Sequence, residues 1–95
     1  CLKEVLDPFL GKPMYISIDL DWFDPSFLPG TGTPEPGGYS WNDFAAIADV
    51  LKKHRIIAAD IVELAPQIDP SGISSLLAAK VTRSMLLLLS LSKLT

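Results

Sequence analysis

Apolar residues recur along this chain with two different periods. From Met14 to Leu20, the apolar Ile16, Ile18 and Leu20 alternate with Tyr15, Ser17 and Asp19, which is the period of a strand with one buried face. Leu2, Val5, Leu6 and Phe9 ahead of it follow a helical spacing, and Gly11, Lys12 and Pro13 separate the two segments. Prolines and glycines then crowd the stretch from Asp24 to Gly38, which rules out regular backbone hydrogen bonding and predicts a long loop. Ser40 with Asp43 three residues on resembles a capping box, and Phe44, Ile47, Ala48 and Leu51 share one helical face, so a helix is expected from Trp41 to His54. Ile56 to Leu64 is apolar apart from Asp60 and Glu63, which suits a strand buried on both faces of a parallel sheet. Pro66 ends it. Pro70, Ser71 and Gly72 open a last helix whose expected inward face is Ile73, Leu76, Leu77, Val81, Ser84, Leu88 and Leu91.

Helix, strand, loop, helix, strand, helix is the order of right-handed crossovers feeding a parallel sheet, so the fold class is α/β. Two strands do not make a self-sufficient sheet, and a chain of 95 residues buries only roughly 60–65% of its unfolded surface. The chain is therefore expected to form a single partial domain of something larger. Cys1 enters a helix-like stretch with no start signal, and the amino terminus reads as a cut edge. A formal net charge of −3 offers no basic field to a phosphate backbone, and nucleic acid is excluded as a partner. With a single cysteine there is neither an internal disulfide nor a thiolate metal cage. The longest uncharged apolar run, Ser84 to Ser92, falls short of the roughly 20 residues that span a bilayer. Neither membrane insertion nor secretion is expected, and a cytoplasmic location is.

Candidate chemistry gathers at the carboxyl end of the first strand, in Ser17-Ile-Asp-Leu-Asp-Trp-Phe-Asp-Pro25. Open α/β sheets bind ligands at that edge. Alternation puts Asp19 and Asp21 on one face, where two like charges repel unless a cation lies between them. An all-oxygen set favours magnesium, calcium or manganese over zinc. Solvated acidic residues at a strand end account for the spacing equally well. Glu63 sits in an otherwise apolar strand, where an ionised carboxylate requires a cation partner or an exposed strand end; a cationic substrate would satisfy it as well as an arginine would. Asp60 reads as a structural or supporting hydrogen-bonding group, and His54 as a residue at the end of a helix.

SIDLDWFDPSFLPGTGTPEPGG together with AADIVELAPQIDPSGISSLLAAK resembles the ureohydrolases, the arginase and agmatinase family, over most of the chain. The resemblance implies the carboxyl-terminal part of a three-layer α/β/α arginase-like fold with a parallel sheet. It also implies a binuclear manganese site that hydrolyses a guanidinium compound to urea and an amine. Asp19 and Asp21 match the family's metal-ligand aspartates, and Asp24 its third aspartate, with a structural role. Thr33 matches the loop threonine near the substrate, and Glu63 the carboxylate that holds the guanidinium group. Glu35 and Pro36 lean toward agmatinase-like members, for which the substrate is agmatine and the product putrescine. The family's histidine-bearing metal segments and its catalytic histidine have no counterpart here, so the isolated chain is expected to bind metal weakly and to be inactive. A homo-oligomer, trimer or hexamer, is expected of the full-length protein.

Other readings compete with that one. Asp19-Leu-Asp21 also looks like the haloacid dehalogenase signature, with Asp19 as nucleophile, Asp21 as general acid and a magnesium ion, but Trp22 and Phe23 stand where a small hydroxyl residue is wanted. A calcium loop fails on the spacing of Asp19, Asp21 and Asp24. A ureohydrolase-fold subunit without catalysis is the third alternative. Exposed leucines between Leu86 and Leu91 are expected to promote self-association.

Overall fold

A computed structural model describes residues 1–93. Helix α1 (Leu2–Leu6) runs into a 3₁₀ turn, Asp7–Phe9, and then strand β1 (Pro13–Asp19). Helix α2 (Trp41–Leu51) and strand β2 (Arg55–Val62) follow the long loop, and helix α3 (Ile73–Lys93) closes the described chain. The two strands pair in parallel, as the helical crossover between them demands. The capping box is present: the Ser40 hydroxyl accepts from the Asp43 amide and the Asp43 side chain accepts from the Ser40 amide.

Register explains why one face of the sheet is polar. Met14 lies opposite Ile56, but Tyr15 lies opposite Ala58, so β2 accommodates one extra residue, Ile57. That insertion resets the alternation of β2. Ile16 and Ile18 then pair with Ala59 and Ile61, and all four pack against the core, while Ser17 and Asp19 pair with Asp60 and Val62. The core consists of Leu20, Phe23, Leu28, Phe44, Leu51, Ile56, Ala78, Val81, Met85 and Leu88. Strand β2 was expected to be buried on both faces; instead Ile57 is 58% exposed and Val62 40% exposed, because among the described residues no helix lies over their side of the sheet.

Three expectations need correction. Helix α2 ends at Leu51 rather than His54, and His54 is buried in the turn that follows, with its amide donating to the Leu51 carbonyl at 2.9 Å. It is thus a packed turn residue rather than the last residue of the helix. The buried face of α3 is Ser74, Ala78, Val81, Met85 and Leu88, while Ile73, Leu76 and Leu91 are exposed. Small side chains at Ser74 and Ala78 let the helix approach closely, and apolarity alone could not show that. Finally, Ile73–Ser92 is long and apolar enough to cross a membrane by length and composition, although Lys80 and Arg83 interrupt it. One side of this helix packs on the core, and Lys80 lies 4.2 Å from the centre of the Trp41 ring. Leu86 and Leu87 are exposed as expected, whereas Leu88 is buried.

Candidate active site

β1 delivers Asp19 to the carboxyl edge of the sheet, and there the chain turns at once. Leu20–Trp22 is a 3₁₀ turn capped by Asp19, whose Oδ1 accepts the Asp21 amide at 3.1 Å. Asp21 therefore does not follow Asp19 along the strand, as alternation implied. The two are brought together by a cap, the local structure that a short acidic side chain favours. Thr33 reaches across from the loop, and its Oγ1 donates to Asp21 Oδ2 at 2.8 Å. Each carboxylate thus has one oxygen held and the other, Asp19 Oδ2 and Asp21 Oδ1, without a hydrogen bond among the described residues. Paired carboxylates with one open oxygen each have the donor chemistry of a hard-cation site. Two carboxylates fall short of a complete donor set, and among the described residues no three metal-ligating side chains come together.

The loop that carries Thr33 is tied down by Asp24. Its Oδ1 accepts the Gly37 and Gly38 amides at 2.9 and 3.1 Å, and its Oδ2 accepts the Ser26 amide and hydroxyl. Those donors, the Ser26 hydroxyl foremost, lower the Asp24 pKa to about 2. A parallel bridge between Phe23 and Tyr39 closes the base of the loop, and Trp22 stacks on Tyr39. A second anchor had no signal in the sequence. Ser74 Oγ, at the start of α3, accepts the Gly30 amide at 2.7 Å and donates to Asp69 Oδ2 at 2.6 Å. The Ala65 amide donates to the Gly30 carbonyl at 2.7 Å, which links the loop to the segment after β2. Asp69 also accepts from Ser71, the largest cause of a pKa lowered to about 2.

Glu63 lies just past β2 and not within it, so no burial cost arises. Its φ is 72°, making it the one non-glycine residue with positive φ among those described, a conformation that strains any side chain with a Cβ. Because Asp19 pairs with Val62, Glu63 emerges one residue beyond the level of Asp19, exposed and with no hydrogen bond or ion pair among the described residues. Asp60 sits deeper on the same face. Its carboxylate accepts from Ser17 Oγ at 2.6 Å and from the Tyr15 hydroxyl; these bonds, Ser17 first, lower its pKa, and the bond to Asp60 raises that of Tyr15. Tyr15 and Ser17 belong to the site's support, and their signal was alternation with the isoleucines. Thr31 Oγ1 and His54 Nδ1 are buried without a hydrogen-bond partner among the described residues.

The depressed carboxylates give the chain an acid limit. A group whose folded pKa lies below its unfolded one contributes stability above the unfolded value, here 3.8, and loses it as pH falls through the folded value. Thermal melts should therefore hold steady at neutral pH and fall between about pH 4 and pH 2. Asp69→Asn should flatten that fall, and an unchanged profile in this variant would show that the anchor does not contribute.

Fold and site together define an α/β unit with an acidic carboxyl edge. The chain belongs to the arginase family, whose model matches residues 1–88, and that family is metal-dependent. The match displaces the haloacid dehalogenase alternative. It is similar to an agmatinase of Halalkalibacterium halodurans, 46% identical over 88 residues that make up 90% of this chain and 30% of that protein. It is also similar to a mitochondrial guanidino acid hydrolase of Homo sapiens, 41% identical over 85 residues, which are 90% of this chain and 24% of that one. A solved structure of proclavaminate amidino hydrolase from Streptomyces clavuligerus matches with a TM-score of 0.86 at 32% identity, over 96% of this chain and 31% of that one. The chain thus spans about 30% or less of the length of the curated relatives it matches.

Proposed function

We propose that this chain is the carboxyl-terminal part of a cytoplasmic, agmatinase-like ureohydrolase that hydrolyses a small guanidinium compound, agmatine in the first instance, to urea and an amine, putrescine for agmatine. The observation that carries this reading is the pair Asp19 and Asp21, each with one oxygen pinned and one open at the sheet's carboxyl edge. Asp19 and Asp21 would hold part of a binuclear manganese site, and the remaining ligands come from outside these residues. Manganese, when bound, supplies the Lewis-acid chemistry that activates water at neutral pH. Thr33 keeps Asp21 oriented through its hydroxyl, as supporting hydrogen bonds do at metal sites. Glu63 offers an anion one residue beyond Asp19 to a substrate whose guanidinium is permanently charged. Asp60 fixes the register of the two strands beneath, and Asp24 holds the loop. The complete enzyme is read as a trimer or hexamer, and the 95-residue chain alone as inactive.

The deciding experiment is to express the full reading frame with manganese and to measure urea release from agmatine, arginine and guanidino acids. Urea from agmatine above the other substrates is the expected result. Urea from a different guanidinium compound would reassign the substrate. No urea from any of them, in a full-length protein shown to contain bound manganese, would leave the fold without the chemistry.

A further inference from the structure

Two stretches far apart in sequence meet at Gly30. Its amide donates to Ser74 Oγ at 2.7 Å, and its carbonyl accepts the Ala65 amide, also at 2.7 Å. Both backbone polar groups of one buried loop residue are therefore satisfied by residues that follow β2. Those residues are themselves braced. Asp69 Oδ2 accepts the amide and the hydroxyl of Ser74 at 2.9 and 2.6 Å, and the Asp69 amide donates to the Pro66 carbonyl at 3.2 Å. Ser74 is fully buried and Asp69 nearly so. The contact requires a glycine, because a Cβ on residue 30 would stand 2.8 Å from both Cβ and Oγ of Ser74 and 3.1 Å from Asp69 Cβ. The same bonds account for the backbone of Glu63. Upstream, the ladder fixes Val62 opposite Asp19; downstream, Ala65 is fixed to Gly30. Only Glu63 and Leu64 lie between these two points, and Glu63 takes the left-handed conformation, with φ 72°. Its side chain makes no hydrogen bond or ion pair among the described residues that would hold it there. A non-glycine residue persists at positive φ where its surroundings over-determine it, and here the two pinned ends of a short arch do so.

We propose that Ser74 and Asp69 are positioning residues for the substrate: through Gly30 and Ala65 they hold the Glu63 carboxylate at a fixed place relative to the loop that carries Thr33. The proposal rests on the hydrolase reading for what Glu63 binds, and not for how Glu63 is held. Thr33 is secured from the other side of its loop by Asp24, whose Oδ1 accepts the Gly37 and Gly38 amides. Loss of the Ser74 hydroxyl therefore frees the Glu63 arch while Asp21 keeps its partner. A permanently charged guanidinium is held by Glu63 in the ground state and the transition state alike, so slack at Glu63 weakens both equally. Uniform weakening raises KM and leaves kcat in place.

Ser74→Ala in the full-length, manganese-loaded protein is expected to raise KM for agmatine at least about tenfold, the scale of one hydrogen bond to a charged group. Its kcat and bound manganese per chain should stay within about twofold of wild type. Ser74→Cys keeps the volume but offers only a weak acceptor, and it should follow Ser74→Ala. An unchanged KM, a kcat that falls as far as KM rises, or a wild-type KM in Ser74→Cys overturns the proposal. A second readout needs no activity. Glu63→Gly and Glu63→Ala both remove the carboxylate, but only glycine takes a positive φ without strain, so Glu63→Gly should melt about 2 °C or more above Glu63→Ala. In the Ser74→Ala background that gap should close, because the arch is no longer pinned at both ends. A gap that persists there overturns the proposal whether or not urea is released. A gap that closes, in a protein whose parent releases no urea, keeps the tether and sinks the hydrolase reading.

Discussion

On the proposed ureohydrolase reading, replacing Asp21 by alanine in the full-length protein should lower urea release by about 1000-fold or more, with almost no change in melting temperature. An open carboxylate oxygen at a metal site is worth several kcal/mol of transition-state charge stabilisation when the metal is lost with it, and each 1.4 kcal/mol is a factor of ten in rate. Folding loses little, because the Asp21 side chain is hydrogen-bonded among the described residues only to the Thr33 hydroxyl, and the Asp21 amide on Asp19 remains in the variant. Asp19→Ala should match it in activity but cost some stability, since Asp19 caps the Leu20–Trp22 turn. Thr33→Val should fall between wild type and these two, by about 10–100-fold, the range for a group that orients a metal ligand. The measurements are urea release and bound manganese per chain. If Thr33→Val lost as much manganese as Asp21→Ala, Thr33 would be more than an orienting group; if Asp21→Ala kept its manganese and its rate, the carboxylate pair would not be the metal site.

That ranking depends on geometry which the sequence showed only in part. Alternation from Tyr15 to Ile18 and the Ser40–Asp43 capping box are local, and both are present in the structure. The pairing of Asp19 with Asp21 was legible as proximity but not as a cap, because a period of two says nothing about where a strand stops. Glu63 was placed inside a strand because apolar residues run on through Leu64, whereas the ladder ends at Val62 and the backbone turns left-handed at the next residue. The insertion of Ile57 leaves no mark in composition, yet it decides that Asp60 faces Ser17 rather than the core. Most hidden of all was the anchor of Gly30 on Ser74, 44 residues apart. Contacts at that separation follow from how helices and loops pack in three dimensions, and no local pattern encodes them.

The same loop supplies the largest expected effect on folding, from the smallest substitution. Gly38→Ala would place a Cβ 2.7 Å from the Asp24 amide nitrogen, 2.8 Å from the Asp24 Cα and 2.9 Å from the Phe23 carbonyl carbon. All three neighbours are backbone, so no rotamer change relieves the clash, and the two chain segments must move apart. Held between those segments are the hydrogen bonds that close the loop, Asp24 amide to Tyr39 carbonyl at 2.9 Å and Tyr39 amide to Trp22 carbonyl at 3.1 Å. Overpacking of this kind costs about 1–3 kcal/mol, and each of the two weakened hydrogen bonds adds about 1 kcal/mol, so a loss of about 3–5 kcal/mol is expected. Gly32 provides the comparison. A Cβ there meets nothing within 4 Å, and Gly32→Ala should stay within about 0.5 kcal/mol of wild type. Denaturant midpoints of the two variants, measured side by side, separate a steric requirement at one glycine from a general need for loop flexibility. Equal midpoints would mean that Gly38 is not pressed against Asp24, and the loop would then have no fixed base from which Thr33 could reach Asp21.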